Sequence, residues 1–574
     1  MVWSRAPILD KPWLPRDGLV YTEAMTTSSQ RTVAHVLVAG LCAQRVTLAF
    51  AVAGESYLAV LDALFDVRSQ LRLITCRHEA NAANMAEAVG KLTGRPGVCF
   101  VTRGPGASHA SIAIHTAQQD ATPLLVFIGQ VATTDRGRDA FQEIDYQAMF
   151  GTVAKAVFTL DDPQRTSALL VTAFETAMNG RPGPVVISLP EDILDASCDV
   201  PVAPWVERTE TPLQPEATRV VLDRLSQAKQ PLLWIGGSGW SAEGVKALGQ
   251  FADAWGLPVV SAFRRKDLMD NAHKAYVGEM GFALGQGAKR ALAEADVVLA
   301  LGTALGDVET GGYTRLDPAT SASRVLHIAM RPVDLNRVFP TAFGAVASPS
   351  RAALALAASA APTVRPWRDW ARQCRALYEQ DVLPVRVTGQ VNLSEVFLEL
   401  RRQLPADSIV TNGAGNYAAW LHRFFEHGQF GTQLAPQSGA MGYGVPAGIA
   451  AALWQPTRRV VAVSGDGCFM MAAQDLVTAA VHRARVVFLV VNNQSFGTIR
   501  MHQDNRFPGR TIATDLVNPD FVALSEASGV PATRVLATAE FAAALNGALA
   551  ADGPRLIELV TSVNDIAPGR QLQS

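Results

Sequence analysis

The sequence predicts an α/β protein of three doubly wound parallel-sheet domains, and three observations carry that prediction. Short apolar, β-branched runs alternate with helix-length segments along nearly the whole chain, the pattern of repeated βαβ units. At 574 residues the chain exceeds what one core can organise, and about three or four domains are expected. Two proline-rich stretches, residues 201–215 and 348–384, read as linkers and divide it into α/β units of similar size without short internal repeats. The expected division is an N-terminal extension (1–26), a first domain (27–198), a central nucleotide-fold-like domain with flanking linkers (199–384) and a third domain (385–574).

In the first unit, residues 31–44 read as helix, 46–51 as strand with a turn at Gly54, and 56–65 as helix again. A strand over 71–76 then leads into a helix over 78–92, and residues 98–102, 124–129 and 185–189 are buried strands. The central unit has strands over 231–235, 257–261, 297–301 and 325–328, with Gly236-Gly237-Ser238-Gly239 after the first. Within the second linker, one short helix is expected over 367–378. In the third unit a strand over 408–411 ends in Asn412-Gly413-Ala414-Gly415-Asn416. Strands over 460–463 and 486–491 flank a helix over 469–480.

Composition narrows the function. With 50 basic against 52 acidic residues the chain carries no electrostatic footprint for nucleic acid. No apolar run reaches the ~18 residues of a membrane span, so no membrane partner is expected. Six scattered cysteines without a CxxC pair suit reduced thiols in a cytoplasmic protein. Residues 1–24 hold three prolines and no continuous apolar stretch, which does not read as a secretory signal. Translation starting at Met25 is favoured over a disordered extension.

The chemistry is densest in residues 460–499. The first strand there runs into Gly465-Asp466-Gly467, and the second closes on Asn492-Asn493 after 24 intervening residues (468–491). Both loops fall on the same edge of a parallel sheet, where such sheets bind ligands. Asp466 offers a carboxylate oxygen, Asn493 an amide oxygen and Ser495 a main-chain carbonyl. That sparse hard-oxygen set suits octahedral Mg²⁺ completed by a diphosphate and water. Glycines let backbone amides approach an anion. The plain alternative is a Gly-Asp-Gly turn and an unrelated Asn pair in an ordinary βαβ unit. Cys468 beside this site is explained equally by a small residue at a helix start.

The GDG…NN pairing resembles the motif of thiamine-diphosphate (ThDP) enzymes, and the resemblance covers nearly everything from Thr32 to about Val560. In the first unit Arg77-His78-Glu79-Ala80 lies where a strand passes into a helix. An HExxH metalloprotease reading fails, because position 82 is alanine. Glu79 alone could be a helix cap. The surrounding stretch, 77–110, resembles the pyrimidine-binding (PYR) domain, where a glutamate bonds the aminopyrimidine N1′, and Gly54 falls among its cofactor contacts. In Ser438-Gly439-Ala440-Met441-Gly442 the resemblance implies main-chain contacts at Gly439 and Met441, with the Met441 side chain wedged under the bent cofactor. As a residue, Met441 could equally fill core space. Gly413, Ala414 and Asn416 would join the diphosphate pocket of this diphosphate-binding (PP) domain, along with Gly467, Cys468, Ser495 and Phe496. Asn416-Tyr417 replaces the Gln-His pair of acetohydroxyacid synthases.

The acetolactate (acetohydroxyacid) synthase-like group is the nearest match, through Gly129-Gln130-Val131, Asp139-Ala140-Phe141-Gln142-Glu143 and Asn518-Pro519-Asp520-Phe521. By that resemblance Phe141 and Gln142 reach the active site from a neighbouring subunit, so a homodimer or homotetramer is implied. His502 stands where those synthases carry the tryptophan that selects the second keto acid, and by that resemblance would read the acceptor or move protons; a surface-loop histidine is the plain alternative. His109 replaces a usual asparagine and, with Gln119, is a candidate for the pocket lining or a structural hydrogen bond. The catalytic candidates are Glu79, Gln142 and His502. FAD is disfavoured, because Gly302-Thr303-Ala304-Leu305-Gly306-Asp307 lacks the Arg-Phe-Asp-Asp-Arg pattern of flavin-binding members.

The implied activity is decarboxylation of a 2-keto acid followed by ligation to a carbonyl acceptor. Simple decarboxylation, or lyase action on a 2-hydroxyacyl compound, is the alternative within the family. An inert ThDP-binding regulatory paralogue is the alternative of another class, opposed by the joint presence of Glu79, Asp466 and Asn493. A dinucleotide-dependent dehydrogenase lacks a proper GxGxxG.

Overall fold

The computed structural model describes residues 31–572, so the expected N-terminal extension lies outside the described residues. Three six-stranded, all-parallel sheets organise the chain. The first contains β1 (Leu48–Ala51), β2 (Arg72–Thr75), β3 (Gly97–Val101), β4 (Leu124–Gln130), β5 (Ala156–Thr159) and β6 (Pro184–Pro190), in the order β2-β1-β3-β4-β6-β5. In the second, β7 (Pro231–Ile235), β8 (Val259–Ala262), β9 (Tyr276–Met280), β10 (Val297–Leu301), β11 (Val325–Ala329) and β12 (Phe343–Val346) take the order β12-β11-β10-β7-β8-β9. The third is built from β13 (Ile409–Asn412), β14 (Gln433–Leu434), β15 (Val460–Gly465), β16 (Val486–Asn492), β17 (Ala532–Val535) and β18 (Arg555–Val560), in the order β14-β13-β15-β16-β18-β17. The first and third sheets therefore share one winding, which no short sequence repeat announces.

Helices on both faces explain the near-continuous apolar strands, since each side chain of a doubly covered strand needs an apolar neighbour. All residues of β4, β6 and β16 are buried. The first and third sheets also share one core. Helix Glu79–Thr93 packs on helix Gly444–Trp454, joining Met85 and Val89 to Tyr443, Val445 and Ile449. Burying each such side chain contributes ~1.5–3 kcal/mol. Gly90 makes room within this layer, because a Cβ there would lie 2.2 Å from the Pro123 carbonyl oxygen.

Two sequence expectations need correction. The helix expected over 469–480 is broken into Asp466–Met470, a 3₁₀ turn Ala473–Asp475 and Leu476–Val481. The break turns the Asp475 carboxylate inward to accept from Arg77 N–H (3.0 Å) and Asn81 Nδ2 (2.5 Å). Nor is 348–384 simply a linker. Helices Pro349–Ala357 and Arg368–Asp381 pack into the central core, which takes up Leu356, Trp367, Trp370, Cys374 and Tyr378. Residues 201–214 do lack regular structure.

Candidate active site

The third sheet reverses its winding between β13 and β15, and a cavity of about 220 Å³ opens at the carboxyl ends of those strands. A topological switch point is where open α/β sheets place their ligands. Ala414, Asn416, Gly439, Met441, Asp466, Gly467, Cys468, Asn493, Ser495 and Phe496, all expected from sequence, line it. Gly413 stands behind the lining, where a Cβ would press on Cys468 Sγ at 2.6 Å. Gly415 has φ +144°, a conformation that favours glycine, and delivers the chain into helix Asn416–Phe424. Free main-chain amides at that helix start suit an anion.

Asp466 is the electrostatic centre of the cavity. Its side chain is buried and accepts from Gly467 N–H and Asn518 Nδ2, both at 2.9 Å. Desolvation nevertheless pushes its carboxyl above the usual range, since no cation pairs with it among the described residues. Asn493 Oδ1 accepts from Ser495 N–H at 3.1 Å, and the buried Ser495 hydroxyl has no hydrogen-bond partner among the described residues. A desolvated carboxylate, an amide oxygen and a carbonyl with a spare lone pair form a donor set that fits Mg²⁺. The Ser495 carbonyl already accepts from Gly497 N–H at 2.8 Å, which fixes its direction.

Several contacts at the cavity were not given by the sequence reading. Tyr417 OH accepts from Gly413 N–H at 3.0 Å and lies 3.4 Å from Cys468 Sγ, tying the 412–416 loop to the 466–468 loop. Asn518 bridges Asp466 to Asn492 Oδ1 (3.0 Å). Its Asn-Pro setting was visible, but its direction was not. Thr561, Asp565 and Ile566, just beyond β18, also line the cavity and had no sequence signal.

The first sheet gathers a second constellation. After β2, His78 is extended and caps helix Glu79–Thr93 through Nδ1, which accepts from Ala80 N–H at 3.1 Å. Glu79 is thus the first helical residue, and its Oε2 lies 2.8 Å from His109 Nδ1. Gly54 is extended rather than turned and packs against Thr102, where a Cβ would fall 2.4 Å from the Thr102 Cβ. Gln142 is left-handed (φ +64°) and its carbonyl lies against Gly104, the residue before helix Pro105–Asp120.

These two constellations stay apart in the single chain. Gly54, Glu79 and Gln142 do not line the third-sheet cavity. His502 is exposed on helix Gly497–Arg506, one turn beyond the cavity-lining Ile499. A larger cavity, about 290 Å³, lies where the three units meet and is lined by Lys91, Arg208, Ser238, Trp240, Arg264 and Arg265, among others.

Comparison with known proteins agrees with this layout. Residues 31–149 match the N-terminal TPP binding domain of thiamine pyrophosphate enzymes, 218–356 their central domain and 413–559 their C-terminal TPP binding domain. The acetolactate synthase large subunit of Parasynechococcus marenigrum is 32% identical over 526 residues, covering 89% of this chain and 84% of that protein. Acetolactate synthase isozyme 2 large subunit of Escherichia coli is 30% identical over 528 residues, covering 91% and 94%. The acetolactate synthase large subunit of Corynebacterium glutamicum is 30% identical over 557 residues, covering 93% and 87%.

Proposed function

Because the chain belongs to the thiamine pyrophosphate enzyme family, in its acetolactate synthase-like group, we propose that it performs ThDP- and Mg²⁺-dependent carbon–carbon chemistry on a 2-keto acid. The reaction is decarboxylation followed by ligation to a second carbonyl. The observation that supports it best is the buried Asp466, without a cationic side-chain partner among the described residues, beside Asn493 and Ser495 at the switch point of the third sheet.

Bound ThDP supplies a thiazolium that accepts the electron pair released as CO₂ departs. This chain's residues do the rest. Asp466, Asn493 and the Ser495 carbonyl would hold Mg²⁺, and the main chain at 413–416 and 467–468 would cradle the diphosphate. Met441, on the cavity wall, would set the cofactor's bend, with Gly439 and Met441 main-chain groups on the pyrimidine. Glu79 would hold a proton at the pyrimidine N1′, contributed by a second subunit along with Gly54 and Gln142. His502 would meet the acceptor.

A homodimer or homotetramer follows from this division, since Glu79 and the cavity are separate within one chain. Exposed apolar side chains near the cavity, including Met470, Met471, Ile499, Phe507, Ile512 and Val517, favour a protein cover. We place the enzyme in the cytoplasm. No helix among the described residues is long and apolar enough to cross a membrane. FAD is disfavoured, because the 302–307 segment after β10 lacks the arginine and phenylalanine of flavin-binding members; there the buried Glu309 carboxyl accepts instead from Thr303 Oγ1 and Gly306 N–H. An absorption spectrum of the purified protein checks this.

The test is product analysis by mass spectrometry after incubation with pyruvate, ThDP and Mg²⁺. Acetolactate or acetoin supports ligation. Acetaldehyde alone supports the decarboxylase alternative.

A further inference from the structure

We infer that His109 is a positioning residue for Glu79, fixing which carboxyl oxygen carries the proton shared with the cofactor; this rests on the reading of Glu79 proposed above. His109 Nδ1 lies 2.8 Å from Glu79 Oε2, and no other group hydrogen-bonds Glu79 among the described residues. Oε1 is left open. Its neighbour is Gly106, where even an added Cβ would stay 3.5 Å away. When Nδ1 donates, its N–H points at Oε2, where a carboxyl proton would compete with it, so the one proton the carboxyl can hold is directed to Oε1. The same bond fixes the carboxylate plane, which otherwise rotates between two equivalent orientations.

The second imidazole explains why His109 takes the role. His78 stacks on His109 with ring centroids 4.5 Å apart and planes 29° apart. Its Nδ1 lone pair is already committed to Ala80 N–H, so the neutral ring carries its proton on Nε2. Protonating Nδ1 would forfeit the cap of the helix that presents Glu79. His78 Nδ1 is thereby committed to the cap, and it is His109 that can orient its N–H toward Glu79. The His109 side chain is about half exposed, which leaves Nε2 open to solvent or substrate.

Two substitutions separate the donor from the ring. His109→Phe keeps the stack on His78 and removes the donor. His109→Asn loses the ring but places an amide N–H where Nδ1 stands. The readouts are ThDP affinity by calorimetry, exchange of the bound thiazolium C2 proton with D₂O, and the ¹⁵N tautomer of His109 in cofactor-free protein. The expected result is exchange about 10- to 100-fold slower in His109→Phe, near-normal exchange in His109→Asn and ThDP affinity within about threefold in both. The tautomer should be Nδ1–H. Normal exchange in His109→Phe, exchange in His109→Asn as slow as in His109→Phe, or an Nε2–H tautomer overturns the inference. Should His109→Phe not fold, His109→Asn and the tautomer decide it. Failure of the unsubstituted protein to bind ThDP would instead strike the function proposed above, while the tautomer would still judge the Glu79–His109 bond.

Discussion

Asp475 accepts the main-chain N–H of Arg77 at 3.0 Å, across 398 residues of sequence. It also accepts from Asn81 Nδ2 (2.5 Å) and Thr478 Oγ1 (2.7 Å), and it is fully buried. The helix segment that follows the Asp466 loop is thus stitched to the residues on either side of Glu79. Asp475→Ala should cost about 3 kcal/mol or more, because it strands the Asn81 amide and the Arg77 N–H in the interior. Urea unfolding checks the figure, and a loss below about 1 kcal/mol would deny the stitch its weight.

Burial pushes the Asp466 carboxyl above its usual range, so its charge costs the folded chain stability. Asp466→Asn removes that desolvated charge and keeps the shape. Without cofactor the variant should melt no lower than the parent chain. The parent should gain thermal stability with Mg²⁺ and ThDP together, whereas Asp466→Asn should gain none. Equal gains in both proteins would remove Asp466 from the metal site.

For Glu79 the expected signature is catalytic rather than structural. Glu79→Gln cannot hold the proton at N1′, so turnover should fall by about 10²- to 10⁴-fold. ThDP affinity should change little. Steady-state rates and calorimetry check both halves, and full activity would exclude the role.

Lys266 gives a pH test of the seam between the second and third sheets. Its Nζ donates to the carbonyls of His422 and Phe425, both at 2.7 Å, and desolvation lowers it from 10.5 to about 8. Between pH 8 and 10.5 the unfolded chain binds more protons at this site than the folded one. Its contribution to stability therefore rises with pH across that window. Relative to Lys266→Met, the parent should gain stability from pH 8 to 10. Parallel pH curves would show that the lysine is not desolvated.

The sequence reading succeeded where burial is two-sided. Val460, Val461 and Val463 or Leu124 to Ile128 must be apolar throughout, and their runs announce β15 and β4. It missed half-exposed edges, and also the largely buried β9 and β18, where Glu279 and Glu558 interrupt the apolar run. β17 (Ala532–Val535) and β5 (Ala156–Thr159) lack a continuous buried face, and their short mixed sequences carry little periodicity. The alanine- and proline-rich look of 348–384 concealed Trp367 and Trp370, whose burial depends on distant partners such as Trp255, 112 residues upstream of Trp367, whose carbonyl accepts from Trp367 Nε1. Of the candidate site, the grouping of Asp466, Asn493 and Ser495 at one cavity was legible because their spacing is local to one βαβ unit. Contacts such as Arg264 Nη2 to the Gly413 carbonyl (2.9 Å) or Asn518 to Asp466 join distant segments, and no local pattern encodes them.

The most direct test of the account is calorimetric titration of ThDP into the full chain with Mg²⁺ present. The account predicts saturable binding near one cofactor per chain, lost when Mg²⁺ is removed or Asp466 becomes alanine. Absence of binding with Mg²⁺ present, or binding indifferent to both the metal and Asp466, would contradict it.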